Sequence, residues 1–197
     1  GISLDRDGNR MAVTSTRDDG GGTSTDAGAV YLFTFGKDFS NPQHIGTIGK
    51  GYVGNNDLDL SDLINNDRAW RVALDGDGDR LALSQYRATS DGVDSGSVYL
   101  VTFDDTNFTN PEHVGTIGYG YTGDKNVNLS DYMDMKDIFG TGVDLNETGS
   151  RLVMSSMLAD GSGGLKTNSG EVMLVKFDDT NFTNGQYSGI VGSGYTG

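Results

Sequence analysis

The chain has 197 residues, a formal net charge of −14 and no cysteine. An acidic surface with no Lys/Arg cluster repels nucleic acid and anionic bilayers. The lack of Cys excludes disulfides, thiolate metal sites and a cysteine nucleophile, and no apolar run has the length of a membrane span. Hydrophobic residues make up only 35% of the chain and Gly supplies 31 positions, so the core is expected from short, closely approaching strands rather than long amphipathic helices.

In chain order, residues 2–5 and 10–15 alternate apolar with small or polar residues about an Arg6-Asp7-Gly8-Asn9 turn, the pattern of a hairpin. A polar loop with Asp18-Asp19-Gly20 leads to residues 30–35, a nearly unbroken apolar and β-branched run that fits a strand covered on both faces. A Gly-rich strand and a connector over 57–70 follow. The order then repeats. Residues 72–75 and 80–84 flank Gly76-Asp77-Gly78-Asp79, the covered strand falls at 98–103, the Gly-rich strand at 113–118 and the connector at 126–140, where Ser130 could open one helical turn. In the third pass the hairpin turns at Glu147-Thr148-Gly149-Ser150 and the covered strand spans 172–177.

The repetition is explicit in three segments. Residues 27–54 read AGAVYLFTFGKDFSNPQHIGTIGKGYVG, residues 95–123 SGSVYLVTFDDTNFTNPEHVGTIGYGYTG, and residues 169–197 SGEVMLVKFDDTNFTNGQYSGIVGSGYTG. A unit recurring every roughly 70 residues covers its apolar face mainly with its neighbours. Four antiparallel strands per unit make a propeller blade. The expectation is an all-β, propeller-type array of about three blades, over residues 1–70, 71–141 and 142–197, the last a partial unit, in one continuous repeat domain. Gly1 would open an innermost strand and Gly197 close an outermost one, as a segment of a longer chain or a unit that pairs with copies of itself.

A residue present in every copy is expected to build the blade. Asp75, Asp77 and Asp79 alternate, as do Asp5 and Asp7, and alternate carboxylates suit the oxygen ligands of calcium. The third copy has Asn146, Thr148 and Ser150 at those positions, so a tight Asp/Gly hairpin explains all three turns. No cofactor is required by any motif, and calcium is the cation this pattern suits. His44 and His113 share one repeat position with Tyr187, which fits packing better than metal ligation. Tyr52, Tyr121 and Tyr195 recur, as do Phe39, Phe108 and Phe182. Trp70, Tyr86 and Tyr119 differ between copies and are the candidate partner contacts. The sequons at Asn107, Asn128, Asn146 and Asn181 read as turn formers outside a glycosylating host. No carboxylate stands apart from the repeat, and Ser residues lack a G-x-S-x-G elbow.

Phe139-Gly140 before Gly142-Val-Asp-Leu, a turn, Arg151-Leu-Val-Met-Ser, a polar loop and Ser169-Gly-Glu-Val-Met-Leu together resemble the FG-GAP repeat. The Asp18-Asp-Gly loop before Ala27-Gly-Ala-Val-Tyr-Leu-Phe and the segment Ser95-Gly-Ser-Val-Tyr-Leu extend the pattern, whereas Ala69-Trp70 replaces one Phe-Gly and the turns are shorter than that family's calcium loops. The resemblance implies a relative of integrin α-type propellers and bacterial surface proteins. On that basis the expectation is an extracellular or surface-attached adhesion module, not an enzyme, binding a glycan or protein through blade-end loops. A self-assembling scaffold and a carbohydrate-active enzyme are the alternatives.

Overall fold

The hairpin expected at the head of each unit forms in all three, and the strands that follow zip onto it in sequence order. The computed structural model describes residues 1–22, 26–64, 71–90, 93–123, 125–134, 137–164 and 166–196. The first sheet contains β1 (Ile2–Leu4), β2 (Arg10–Ser15), β3 (Ala29–Thr34), β4 (Gln43–Gly49) and β5 (Leu58–Asp59). The second contains β6 (Arg71–Leu74) and β7 (Arg80–Gln85), then, past a small hairpin of β8 (Thr89–Ser90) and β9 (Val93–Asp94), β10 (Ser97–Thr102), β11 (Glu112–Gly118) and β12 (Val127–Asn128). The third contains β13 (Phe139–Leu145), β14 (Arg151–Ser156), β15 (Glu171–Lys176) and β16 (Gln186–Gly192). The four main strands of every sheet pair antiparallel, and no α-helix occurs among the described residues. The chain is an all-β, propeller-type array of three blades.

The connectors add something the strand count from sequence left out. β5 and β12 each lie parallel to the fourth strand of their blade, as a short fifth strand. Their side chains hold them there. Asp57 and Asn126 each accept the N–H of a buried Thr, Thr47 and Thr116, at 2.7 Å, and Asp59 and Asn128 accept the N–H groups of Gly51 and Gly120. The connector passes so close that a Cβ on Gly46 would lie 2.0 Å from the Asn56 carbonyl oxygen, and one on Gly115 2.3 Å from that of Lys125. A single helical turn follows in both, closed by Ile64 N–H to Leu60 O and by Met133 N–H to Leu129 O, the second at the place expected from Ser130.

Alternation along the strands assigns each blade two faces. In the middle blade Leu81, Leu83, Tyr99 and Val101 turn toward the first blade and pack with its Ala12, Val30, Leu32 and Ile48. Ala82, Val98 and Leu100 turn the other way, onto Phe139, Leu152, Met154, Met173 and Val175 of the third. The two hydrophobic cores are therefore the two spaces between blades. This explains why residues 98–103, expected to be covered on both faces, are almost wholly buried, while the matching strands of the outer blades are buried on one face.

Polar contacts at the hairpin end repeat the same coupling. Arg10 donates through Nε to the Thr106 carbonyl of the second blade, and Arg80 to the Thr180 carbonyl of the third. The N–H of Arg6 reaches Gly76 O at 3.1 Å and that of Gly76 reaches Glu147 O at 2.9 Å, a ladder running from turn to turn. Phe108 and Phe182 adopt positive φ, 59° and 58°, a conformation costly for a bulky residue, and both are fully buried against Phe103 and Phe177. Phe108→Ala should cost about 3–5 kcal/mol, measured by urea unfolding of the purified protein. A loss under about 1 kcal/mol would show that the space between blades is not what holds the fold.

Candidate functional site

Antiparallel order sends the loops between second and third strands, and the connectors between blades, to one end of the array, and the first hairpins to the other. The expected calcium residues sit at the hairpin end, each tied to a local partner. Asp5 Oδ1 accepts the N–H groups of Asn9 and Arg10, and its Oδ2 faces Arg10 at 2.8 Å. Asp75 Oδ1 accepts N–H from Gly78, Asp79 and Arg80, Asp77 pairs with Arg6 at 2.9 Å, and Asp79 with Arg80 at 3.1 Å. Asp7 lies 4.0 Å from Arg6. The alternation in sequence thus deals these carboxylates to different partners. No group of three or more Asp, Glu or His among the described residues is placed to hold a metal ion.

The other end carries the more unusual chemistry. A cavity of about 270 Å³ is lined by residues 130–134 and Asp137 of the second connector, by Asp160, Gly161, Gly163 and Gly164 of the β14–β15 loop, and by Glu171 and Tyr195. Asp134, Asp137 and Asp160 also line an adjoining cavity of about 520 Å³ with Tyr119, Leu158, Thr167 and Asn168. The loop holds its shape through Asp160 Oδ1, which accepts the Asn168 N–H at 2.8 Å, and the connector through Asp137 Oδ2, which accepts the Asp134 N–H at 2.8 Å.

Glu171 is 6% exposed. Its Oε2 accepts the Tyr195 hydroxyl at 2.9 Å, while the buried Oε1 has no hydrogen-bond partner among the described residues. Burial, helped by the negative charge of Asp137 and Asp134, pushes the Glu171 carboxyl up in pKa. Burial likewise raises Asp137, with Asp134 and Asp160 adding repulsion. Asp18 in the first blade is the instructive contrast. Burial alone would raise it, yet the hydroxyls of Tyr31 and Tyr52 and the N–H of Gly20 all donate to it and hold it below the ordinary carboxylate value.

The recurrent Tyr positions are structural, as expected: Tyr52, Tyr121 and Tyr195 pair with Asp18, Ser97 and Glu171. The ring nitrogens of His44 and His113 face Thr47 and Thr116 at 3.1 and 3.0 Å, and Tyr187 stacks on Tyr132 at 3.7 Å. Of the three expected contact residues, Tyr119 lines the larger acidic cavity. Tyr86 lines a separate groove of about 500 Å³ that also reaches Glu171, and Trp70 lies outside the described residues. Glu171 itself contradicts the expectation that no carboxylate stands apart: it occupies the repeat position of Ala29 and Ser97. That column was the signal in the sequence. Asp134, Asp137 and Asp160 became legible only when the connector met the loop.

No protein-family model and no curated protein matches the chain. Solved structures do resemble its fold. One is a protein of unknown function from Desulfotomaculum acetoxidans, with TM-score 0.46, 14% identity, 98% of this chain covered and 42% of that one. Another is a candidate 6-phosphogluconolactonase from Bacteroides uniformis, with TM-score 0.42, 10% identity, and 99% and 72% covered. A third is the periplasmic gluconolactonase PpgL of Pseudomonas aeruginosa, with TM-score 0.32, 10% identity, and 100% and 72% covered. The chain thus spans less than half of the first and about three quarters of the others. Two of these names are lactonases and none is an FG-GAP or integrin-type protein. The expectations of FG-GAP repeats, of a surface adhesion module and of a protein without enzymatic activity are corrected on that finding. The likeness is one of fold and assigns no residue a role.

Two outcomes test the hairpin end. Burial and the charge of Asp79 push the Asp75 carboxyl up to about 6, so the stability that its protonation contributes is complete below about pH 4 and lost as pH rises through about 6. Asn146 already fills this position in the third blade, where its Oδ1 accepts the Arg151 N–H at 2.8 Å. Asp75→Asn should therefore match the parent at pH 4 and exceed it at pH 8 by about 1–3 kcal/mol in urea unfolding. Equal stability at both pH values would contradict the assignment. Thermal melts in calcium and in a chelator should nearly coincide, since each turn carboxylate already has its partner; a large separation would reveal a calcium linkage.

Proposed function

We propose that the chain is a carbohydrate-processing enzyme that works by acid/base hydrolysis in the acidic cavity beside the third blade, with Glu171 as its proton donor. One observation carries this reading: a buried carboxyl with an oxygen unpartnered among the described residues lines a cavity that four other carboxyl groups share, those of Asp131, Asp134, Asp137 and Asp160. A carboxyl whose pKa burial raises, set beside other carboxyl groups, is the arrangement in which one acid donates a proton while another takes one from water.

In the reaction so envisaged, Glu171 protonates the departing oxygen of a sugar acetal or lactone as its bond to carbon breaks. Water attacks that carbon and gives up a proton to Asp134 or Asp160. Tyr119 and Tyr132 offer aromatic surface and hydroxyls to a polyhydroxylated substrate, Tyr195 holds Glu171 through its own hydroxyl, and Thr167 and Asn168 add donors. No Lys, Arg or His lies among the described residues lining either cavity. The site therefore favours an uncharged sugar over a phosphorylated one, and in this it departs from what the name of the Bacteroides protein suggests.

The test is hydrolysis of a panel of neutral sugar δ-lactones and aryl glycosides, with 6-phosphorylated counterparts as controls. Activity is expected on a neutral member and should fall at least 100-fold in Glu171→Gln, with unchanged circular dichroism. Because Glu171 acts protonated and its pKa is raised, the rate should decline as pH rises through a value above the ordinary 4.5. Failure of the whole panel, or full activity in Glu171→Gln, would overturn the proposal.

A further inference from the structure

Among the described residues the first and third blades each leave one flank uncovered, and the repeat states what such flanks pack against. Met11, Val13, Tyr31, Phe33, Phe35 and Phe39 on the first blade correspond to Leu81, Leu83, Tyr99, Val101, Phe103 and Phe108 on the second. The second set is buried by the first blade. The first set is half-buried, and Phe39 is 59% exposed. Phe39 nevertheless holds the same strained conformation as Phe108, φ 56° against 59°, without the burial that offsets the strain there.

The complementary flank is on the third blade. Val153, Val172, Leu174 and Val191 occupy the positions of Ala12, Val30, Leu32 and Ile48, which cover the second blade. Val153 and Val191 are 38% and 60% exposed. Arg151 stands where Arg10 and Arg80 stand, and it too is exposed. Arg80 grips the next blade through the Thr180 carbonyl and the Asn181 side chain at 2.9 Å. The first-blade counterparts of those residues, counted back from the shared Phe, are Lys37 and Asp38, so a carboxylate sits where Asn181 does. The turn-to-turn ladder ends at the Glu147 N–H on one side and the Arg6 carbonyl on the other.

From this match we infer that two copies of the chain close head to tail into a six-bladed ring. The third-blade flank of each copy receives the first-blade flank of the other, with an Arg151–Asp38 ion pair at both seams. Both seams reuse the contact that already joins the blades within one copy. The surface is heterologous, and it closes only when its rotation brings the second copy back onto the first, which a ring of six blades satisfies within the four to eight that propellers use.

The experiment is solution mass by light scattering across a range of concentrations. The parent is expected at twice the chain's 20.9 kDa, without growth at high concentration. Arg151→Asp and Asp38→Arg, both at exposed positions, should each give folded monomers. An equimolar mixture of the two variants should restore the dimer, because opposite charges then meet at both seams: the two substituted side chains at one, the native Arg151 and Asp38 at the other. A parent that stays monomeric would overturn the inference, as would one that grows into filaments or a variant mixture that stays monomeric.

Discussion

The packing of one blade against the next is the contact on which everything else in this molecule depends. Neither hydrophobic core belongs to a single sheet. Each sheet presents one face to the blade before it and the other to the blade after it, so Leu81, Leu83 and Tyr99 of the middle blade meet Ala12, Val30 and Leu32 of the first. Full burial of a Phe, Leu or Val side chain is worth about 1.5–3 kcal/mol, against about 1–3 kcal/mol for a residue held in a sparsely populated backbone region. At Phe108 and Phe182 burial therefore offsets the strain. At Phe39 only a neighbour can supply the same compensation.

The same architecture separates two kinds of acidic residue. At the hairpin end the carboxylates are spent on structure, accepting turn N–H groups or pairing with Arg6, Arg10 and Arg80. At the loop end Glu171 has, among the described residues, one hydroxyl for two oxygens, and Asp137 is buried among other carboxyl groups. A buried acid with an unpaired oxygen destabilises the fold. A blade with Ala or Ser in that column, as the first and second have, avoids the cost, so its retention in the third is what marks the site rather than the abundance of acid.

Much of the fold was written in the repetition. Recurrence every roughly 70 residues named the blades, alternation named the strands, and the turns fall within a residue of where they were expected, although β13 begins at Phe139, inside the stretch expected as connector. The fifth strands were hidden because Leu58-Asp59 and Val127-Asn128 are too short to show a period. What holds them is side-chain capping of the neighbouring strand, a contact between segments rather than a pattern within one. The site was less legible for the same reason. The Asp alternation at the turns marks the end where the repeat is kept, whereas the informative event is a single departure, Glu171 in an Ala/Ser column. Tyr119, which also differs between copies, lines the larger cavity.

The proposed two-copy ring and the acidic cavity would make different demands on the chain. The cavity is assembled from the second connector and the third blade, elements of one copy that already face each other across the second core. The Arg151–Asp38 seam lies at the hairpin end, the far side of the blade from Glu171. Closure would not cover the acidic cavity, none of whose lining residues lies on the closing flank, but Val172 and Val191 of that flank line the Tyr86 groove, which reaches Glu171. It would instead cover the third sheet from its free side, where Val172 follows Glu171 directly along β15. A strand packed on both faces holds its first residue more firmly than one packed on a single face. The consequence of such an assembly for the proposed chemistry would be positional: Glu171 would be anchored on a strand that a second copy made rigid.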